Sequence, residues 1–353
     1  MKWLMKFSFH PLFIKLFHWE YWSFNVIYIP IYPAWIWLCL RARSFFFFAA
    51  SNPGIKNGGF LGESKKEIAG IIPEELHPRT AFFPTHTDPE HVLKEIRRLG
   101  FHFPLIGKPD IGGRGRGVHQ LQNEEEVTQY VQMADLDFHI QEFVKYEKEA
   151  GIFYYRFPGQ QKGNLSGIVR KEFLQVCGNG RDSVESLLVQ NKRAVLQLQS
   201  LRKKYGEELS TVLPAGAIKV LVPYGNHARG ALFIDDSRLI DEELTETIDS
   251  ICQKLDGFYF GRLDIRFQSW EDLKKGRNFI IIEVNGAGSE PTHIYDPGHS
   301  LFFAWKEIIR HWSLLWRISR INHQLGYPYL TFKAGWQMFA EDIRDSEKLK
   351  KMA

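Results

Sequence analysis

Residues 262–267 read Arg-Leu-Asp-Ile-Arg-Phe, and residues 279–286 read Phe-Ile-Ile-Ile-Glu-Val-Asn-Gly. Both stretches are apolar or alternating and rich in β-branched residues, so each reads as a strand. Between them, Gln268 to Arg277 carries Trp270-Glu-Asp and Lys-Lys-Gly, which suits an exposed turn. An antiparallel hairpin brings Asp264, Glu283 and Asn285 together. Glu283 and Asn285 are two apart and share one face of their strand. Three oxygen ligands beside Arg262 and Arg266 suit a Mg²⁺ site, because magnesium is held by a few carboxylates together with substrate phosphates. An ordinary hairpin with one polar face carries the same pattern, so the neighbouring sequence has to decide.

Working outward, residues 101–146 hold the second group of signals. Residues 103–109 form a strand that ends at Lys108-Pro109. Gly112, Gly113, Gly115 and Gly117 then make a flexible tip bearing Arg114 and Arg116. Such a tip can fold over a polyphosphate, offering backbone N–H donors and guanidinium charge. It lacks the Gly-Lys-Ser/Thr ending of a Walker A loop. A helix follows over 123–133 with acidic residues in its first turn, then a strand, Phe138-His-Ile-Gln-Glu-Phe-Val.

A strand ending in Lys-Pro, a glycine-rich tip, a Gln-Glu-Phe-Val strand end and a carboxylate hairpin, in that order, resemble the ATP-grasp superfamily. The likeness is to its carboxylate–amine ligases, such as D-alanine–D-alanine ligase, and covers about residues 79–300. It implies an α+β fold in which two α+β subdomains clamp ATP. It implies that Lys108 binds nucleotide phosphates under the 112–117 loop. Gln141, Glu142, Phe143 and Val144 would form the strand that meets adenine, and Glu149 would hold the ribose. Lys171 would be the second phosphate lysine, with Arg170 an alternative. Asp264, Glu283 and Asn285 would be the magnesium ligands, Mn²⁺ being an alternative ion, with Arg262 beside the reacting phosphate. Gly286, Gly288, Ser289, Thr292 and His293 lie in the loop that shapes the acceptor site in that family; a lone His293 reads equally as a hydrogen-bonded structural residue. Residues 170–195 also resemble a segment of cyanophycin synthetase and related amino-acid ligases, with Asn179 in place of an aspartate. One departure stands out: the further lysine that the family often carries before the helix preceding the Lys108 strand is missing, and Arg79 is the nearest substitute.

The remaining sequence sets the organisation. At 353 residues the chain has material for two or three domains. A net charge of +4, spread along the chain, gives no reason to expect nucleic acid. Cys39, Cys177 and Cys252 are far apart, form no metal or disulfide pattern, and suit a reducing cytoplasmic setting. Residues 1–43 form an aromatic zone that contains Trp3, Trp19, Trp22, Trp35 and Trp37. Its apolar run, 21–40, is long enough to span a bilayer but holds Pro30 and Pro33 mid-way. Three readings compete: a segment lying in or dipping into one leaflet, a full span, and a segment packed on the protein body. The first two attach the protein to the inner face of a membrane. Residues 44–100 read as a small α/β domain, opening with a buried strand over 44–50 and a Gly-rich loop over 52–62. Residues 101–300 read as the ATP-grasp domain and 301–353 as C-terminal helices, with a solvated or frayed tail from Glu341.

Together these features predict an ATP-dependent ligase that forms an amide bond through an acyl phosphate. Its substrates would be small or lipid-linked carboxylates and amines. The alternatives are a kinase-like phosphotransferase on the same fold and a non-catalytic nucleotide-binding membrane adaptor. The oligomeric state is not written in the sequence.

Overall fold

The computed structural model describes residues 10–113 and 115–351. Its strands, in chain order, are β1 (Thr80–Phe83), β2 (Leu105–Pro109), β3 (His119–Leu121), β4 (Phe138–Glu142), β5 (Lys148–Tyr155), β6 (Asn164–Glu172), β7 (Leu174–Cys177), β8 (Ile218–Val222), β9 (Leu232–Asp235), β10 (Phe260–Phe267) and β11 (Phe279–Asn285). The pairings β1–β4, β2–β3, β2–β4, β5–β10, β6–β9, β7–β8 and β10–β11 are all antiparallel. With helices between them, the class is α+β, as the sequence predicts. The chain divides into two units. One comprises Met1–Pro33, Val169–Asp236 and Thr292–Glu307; the other comprises Ala34–Ile168, Ser237–Pro291 and Ile308–Ala353.

The larger unit contains two sheets. A four-stranded sheet runs in the order β1-β4-β2-β3. The helices Pro89–Arg98 and Glu124–Met133 bury Val92, Ile96, Val127 and Tyr130 in the core they share with it. Both helices start where the sequence dictates. Asp88 accepts from the N–H of Glu90 ahead of Pro89, and Asn123 accepts from the N–H of Glu126, each satisfying a donor with no intrahelical partner. The second sheet places β10 between β11 and β5. Leu263, Ile265, Phe267, Ile281 and Val284 pack there against Ile248, Ile251 and Leu255.

Several local expectations are corrected. The insert after β10 is not a plain turn. Ser269 caps a short helix, Trp270–Lys274, and Trp270 packs against Phe267 at 4.6 Å between ring centroids. The apolar run at 44–50 is not a strand. Phe47–Ala50 is a 3-10 turn whose Phe47 and Phe48 are fully buried. An apolar run of this length does not distinguish the two states, and burying each phenylalanine is worth about 2–3 kcal/mol in either. The tail from Glu341 is neither frayed nor solvated throughout. Phe332–Lys351 is one helix, and Leu349 near its end is only 2% exposed.

The Gly-rich stretch at 52–62 has a structural explanation. Asn52 is fully buried; it donates to the carbonyls of Gly58 and Phe260 and accepts from the N–H groups of Tyr259 and Phe260. The carbonyls of Gly58 and Gly59 accept from the N–H groups of Ala287 and Gly288. Backbone lies directly on backbone, which requires the absence of side chains.

In the smaller unit, the described part of the N-terminal segment docks through polar anchors. Glu20 is buried and accepts from Arg193 Nη2 at 2.6 Å, with His227 Nε2 at 3.1 Å. Burial pushes the Glu20 carboxyl up, but His227 and Arg193 outweigh it and hold the group below its ordinary value. Trp19 donates to the carbonyl of His299 and Trp305 to that of Ile27. The run at 21–40 is divided among Phe24–Tyr28, Ile29–Ile31 and Tyr32–Ala42, broken where the prolines fall. Among the described residues, no helix is long and apolar enough to cross a membrane. Trp3 lies outside the described residues.

Candidate nucleotide and metal site

β10 and β11 set the core of the site. Asp264 stands opposite Glu283 and Arg262 opposite Asn285, with a bulge just after Asp264. Directly opposed residues share a sheet face with Cβ atoms about 5 Å apart. Arg262, Asp264, Glu283 and Asn285 therefore lie on one face, as the hairpin reading predicts. Arg262 grips Asp264 with two hydrogen bonds, Nε to Oδ1 at 2.8 Å and Nη2 to Oδ2 at 3.2 Å, and donates a third to the carbonyl of Glu290. Burial works against the Arg262 charge, yet Asp264, Glu283 and Glu290 together hold its pKa above the ordinary value.

The donor set suits a hard divalent cation. Two carboxylates and an amide supply only oxygen ligands. The Asn285 Nδ2 atom, a donor, is buried with no hydrogen-bond partner among the described residues; an anionic oxygen would satisfy it, while Oδ1 is the atom able to face a cation. Arg262 uses two of the roughly four lone-pair sites of Asp264. Among the described residues no three His, Cys, Asp or Glu side chains cluster to hold a metal; a cation here needs the Asn285 amide.

Lys108 comes from β2 and is 9% exposed. Its Nζ donates to Gln141 Oε1 at 3.2 Å, and Gln141 donates in turn to Thr80. Burial chiefly, then the neighbouring Lys65 charge, pulls the Lys108 ammonium down to about 8, against the upward pull of Glu283 and Asp110. A desolvated lysine that feels Glu283 is suited to an anionic ligand, whose charge would restore its proton.

Around Lys108 lies a group of residues that motif reading did not find. His139 Nε2 is 2.7 Å from Asp110 Oδ1. Asp110 also accepts from Ser64 Oγ and the Lys66 N–H. Lys65 donates to the carbonyls of Asp110, at 3.3 Å, and Gly112, at 2.6 Å. Burial pushes the Asp110 carboxyl up, but these donors leave it below its usual value. Burial lowers His139 more than Asp110 raises it. His139 Nε2 and the Asp110 carboxylate thus share a hydrogen bond, while His139 Nδ1 is buried with no partner among the described residues. One signal was available: Ser64-Lys-Lys-Glu is a capping box, and Ser64 Oγ does accept from the Glu67 N–H. Nothing local announces that it meets Asp110.

The glycine-rich tip curls with Gly112, Gly115 and Gly117 at φ of 111°, 69° and 67°. Tyr130 donates to the carbonyl of Gly117. A Cβ on Gly112 would meet Leu349 Cδ1 at 2.4 Å, so the helix Phe332–Lys351 closes one side of the tip. Arg116 opposes the rise that burial imposes on the carboxyl of Asp342 on the same helix. Arg114 lies outside the described residues.

The adenine and ribose candidates are engaged in ion pairs. Glu142 receives Arg79 Nη1 at 3.1 Å, so the nearest arginine substitute for the missing lysine is committed elsewhere. Glu149 is buried and receives Arg266 Nε at 3.1 Å, while Arg266 also donates to the carbonyl of Val144. This pair ties β5 to the 141–144 segment. Glu142 and Phe143 line a cavity of about 260 Å³ with His102, Phe103, Pro104 and Lys145.

Gly286 and Gly288 face backbone: a Cβ on Gly286 would stand 2.5 Å from the Gly58 carbonyl oxygen, and one on Gly288 2.3 Å from that of Phe60. Close packing explains both glycines. Ser289 donates to the carbonyl of Gly286. In the smaller unit, Lys171 lies buried on β6. Arg170 is engaged by Asp236 at 2.7 Å and by Glu172. His293 is buried with Glu307 at 3.4 Å, and Thr292 Oγ1 is buried with no partner among the described residues. Gly180 takes the turn (φ 73°), with Asn179 accepting from the N–H groups of Arg181 and Asp182, and Ser183 caps Val184–Leu188.

No protein-family model and no curated protein sequence matches the chain. Solved structures similar to it include a bifunctional glutathione synthetase from Pasteurella multocida, at 15% identity and TM-score 0.33, covering 69% of this chain and 36% of that one. A D-alanine–D-alanine ligase from Bacillus anthracis is similar at 15% identity and TM-score 0.40, covering 74% of this chain and 67% of that one. VanG D-Ala:D-Ser ligase from Enterococcus faecalis is similar at 13% identity and TM-score 0.40, covering 72% and 61%. The match thus spans about a third of the length of the glutathione synthetase.

Proposed function

We propose that the chain is an ATP-grasp ligase that joins a carboxylate to an amine, with ATP converted to ADP and phosphate. The observation that carries this reading is the one sheet face bearing Arg262, Asp264, Glu283 and Asn285, in the same unit as a buried Lys108 that feels the charge of Glu283. The donor carboxylate attacks the γ-phosphate, ADP leaves, and the amine then displaces phosphate from the acyl phosphate. Lys108, Arg262, Arg114, Arg116 and the 112–117 N–H groups neutralise and orient the phosphates, with Lys171 the second phosphate lysine. Mg²⁺ or Mn²⁺ held by Asp264, Glu283 and Asn285 would supply further charge neutralisation. The 141–144 segment receives adenine and Glu149 the ribose. Ser289, Thr292 and His293 contact the acceptor, and the unmet hydroxyl of Thr292 supports that role. Exposed Leu12, Leu16 and Phe17 in the N-terminal segment support a substrate presented at the inner face of a membrane.

The test is ADP release by Asp264→Ala and Glu283→Ala. Each is expected to lose at least about a hundredfold in turnover, with an unchanged circular dichroism spectrum. Full turnover by either variant removes the metal assignment. Hydroxylamine added to the wild type should yield a hydroxamate of the donor; ADP release without one would favour phosphotransfer.

A further inference from the structure

In the larger unit, the ends of two helices border a cavity of about 350 Å³ that is lined by none of the residues assigned to ATP. Arg41, Ala42, Arg43, Arg320, His323, Gln324 and Tyr329 line it. No acidic side chain lines it, and among the described residues no carboxylate pairs with any of the three arginines. Two guanidiniums are fixed by one ring: Arg41 lies over Trp316 at 4.3 Å and Arg320 at 5.5 Å. His323 stacks on Tyr329 at 3.8 Å, closing another wall.

Arg43 stands at the end of Tyr32–Ala42 with φ +54°. Its N–H donates to the carbonyl of Leu40, and that of Ser44 to the carbonyl of Cys39. Glycine is the usual occupant of this left-handed position, so the chain keeps an arginine where its backbone is disfavoured. Such outliers cluster at ligand sites. The carbonyl ends of the two helices offset part of the positive charge, roughly half a charge each, against three guanidiniums. The cavity stays cationic, and arginine forks match phosphate oxygens.

The surroundings indicate where that phosphate resides. Trp37 and Leu40, within one turn before Arg41, are 61% and 63% exposed. Phe45, Leu325 and Phe332 are also exposed, and Phe332 touches Phe46 at 6.2 Å between ring centroids. A soluble phosphate needs no apolar collar. A phosphate at a bilayer surface lies beside acyl chains, and aromatic side chains favour that interface. We infer that Arg41, Arg43 and Arg320 form a binding site for the phosphate headgroup of an anionic phospholipid, with Trp37, Leu40 and Phe45 entering the interface around it.

The test uses the full chain and co-sedimentation with vesicles. Phosphatidylcholine and phosphatidylglycerol in equal parts should bind the protein, and phosphatidylcholine alone should bind it weakly. Each arginine lost near an anionic surface weakens partitioning about fivefold, so Arg41→Gln/Arg43→Gln/Arg320→Gln should weaken it about a hundredfold. The same three positions changed to lysine keep the charge but lose the fork, and should recover only part of the binding. Thermal melting checks that the variants fold, and Trp37→Ser/Leu40→Ser gives a second route that leaves the arginines in place. Unchanged binding by the folded glutamine variant, equal binding to both vesicles, or full recovery with lysine would overturn the assignment. Inorganic phosphate protecting the arginines from a guanidine reagent, with no vesicle binding, would assign the cavity to a free anion instead and overturn the lipid source.

Discussion

The two glycine-rich stretches, 54–62 and 112–117, look alike in sequence and differ in what their glycines are for. In the first, missing side chains let backbone touch backbone. A Cβ on Gly54 would stand 1.9 Å from the carbonyl oxygen of Asp256, and one on Gly59 2.7 Å from the Cα of Gly286. In the second, among the described residues, a Cβ on Gly113 would meet nothing within 4 Å, and one on Gly112 the flexible end of Leu349. Glycine reports conformational freedom; only the neighbours reveal whether that freedom is used for packing or left open for a ligand.

The largest effect that could break this contrast is on stability. Gly54→Ala forces a backbone shift and is expected to cost at least about 3 kcal/mol, read from the urea midpoint of unfolding. A cost below about 1 kcal/mol would place the first stretch with the second.

The next effect is on ligand affinity beside the second stretch. Lys108 has its pKa lowered to about 8. The ammonium form attracts phosphate, so above that pH a proton must be taken up on binding. Nucleotide affinity should fall by up to about tenfold per pH unit beyond pH 8, measured by calorimetry in buffers of differing ionisation heat. Lys108→Arg should flatten the profile, because guanidinium keeps its proton. A flat wild-type profile would detach Lys108 from the phosphates.

The smallest effect sharpens the contrast. Gly113→Ala should leave the unfolding free energy within about 0.5 kcal/mol of wild type, or raise it slightly by restricting the unfolded chain. A loss of nucleotide affinity at unchanged stability would assign the openness of Gly113 to the ligand.

The site's central hairpin was legible because it depends on local periodicity. Apolar runs flanking a polar insert mark the two strands, and their two-residue spacing puts Glu283 and Asn285 on one face; the bulge after Asp264, which the sequence does not announce, is what sets Asp264 opposite Glu283 rather than Ile282. The Lys65–Asp110–His139 group was not legible, since it joins a helix start, a strand end and a neighbouring strand that only the folded sheet brings together. The run at 44–50 failed for a different reason: its phenylalanines report burial and say nothing about backbone state. The polar insert at 268–277 misled because Ser269 and Asp272 support a helical cap as well as a turn. Gly286 and Gly288 read as acceptor-loop residues, while the backbone partners at 58–60 that account for them by close packing are too distant in sequence to be read.

Leu349 lies far downstream of Gly112, yet it supplies the side chain that closes one side of the glycine-rich tip. During synthesis, the tip leaves the ribosome long before that leucine is made. Until that helix is made, Lys65 and Tyr130 can hold the tip at Gly112 and Gly117, but its apolar wall is missing.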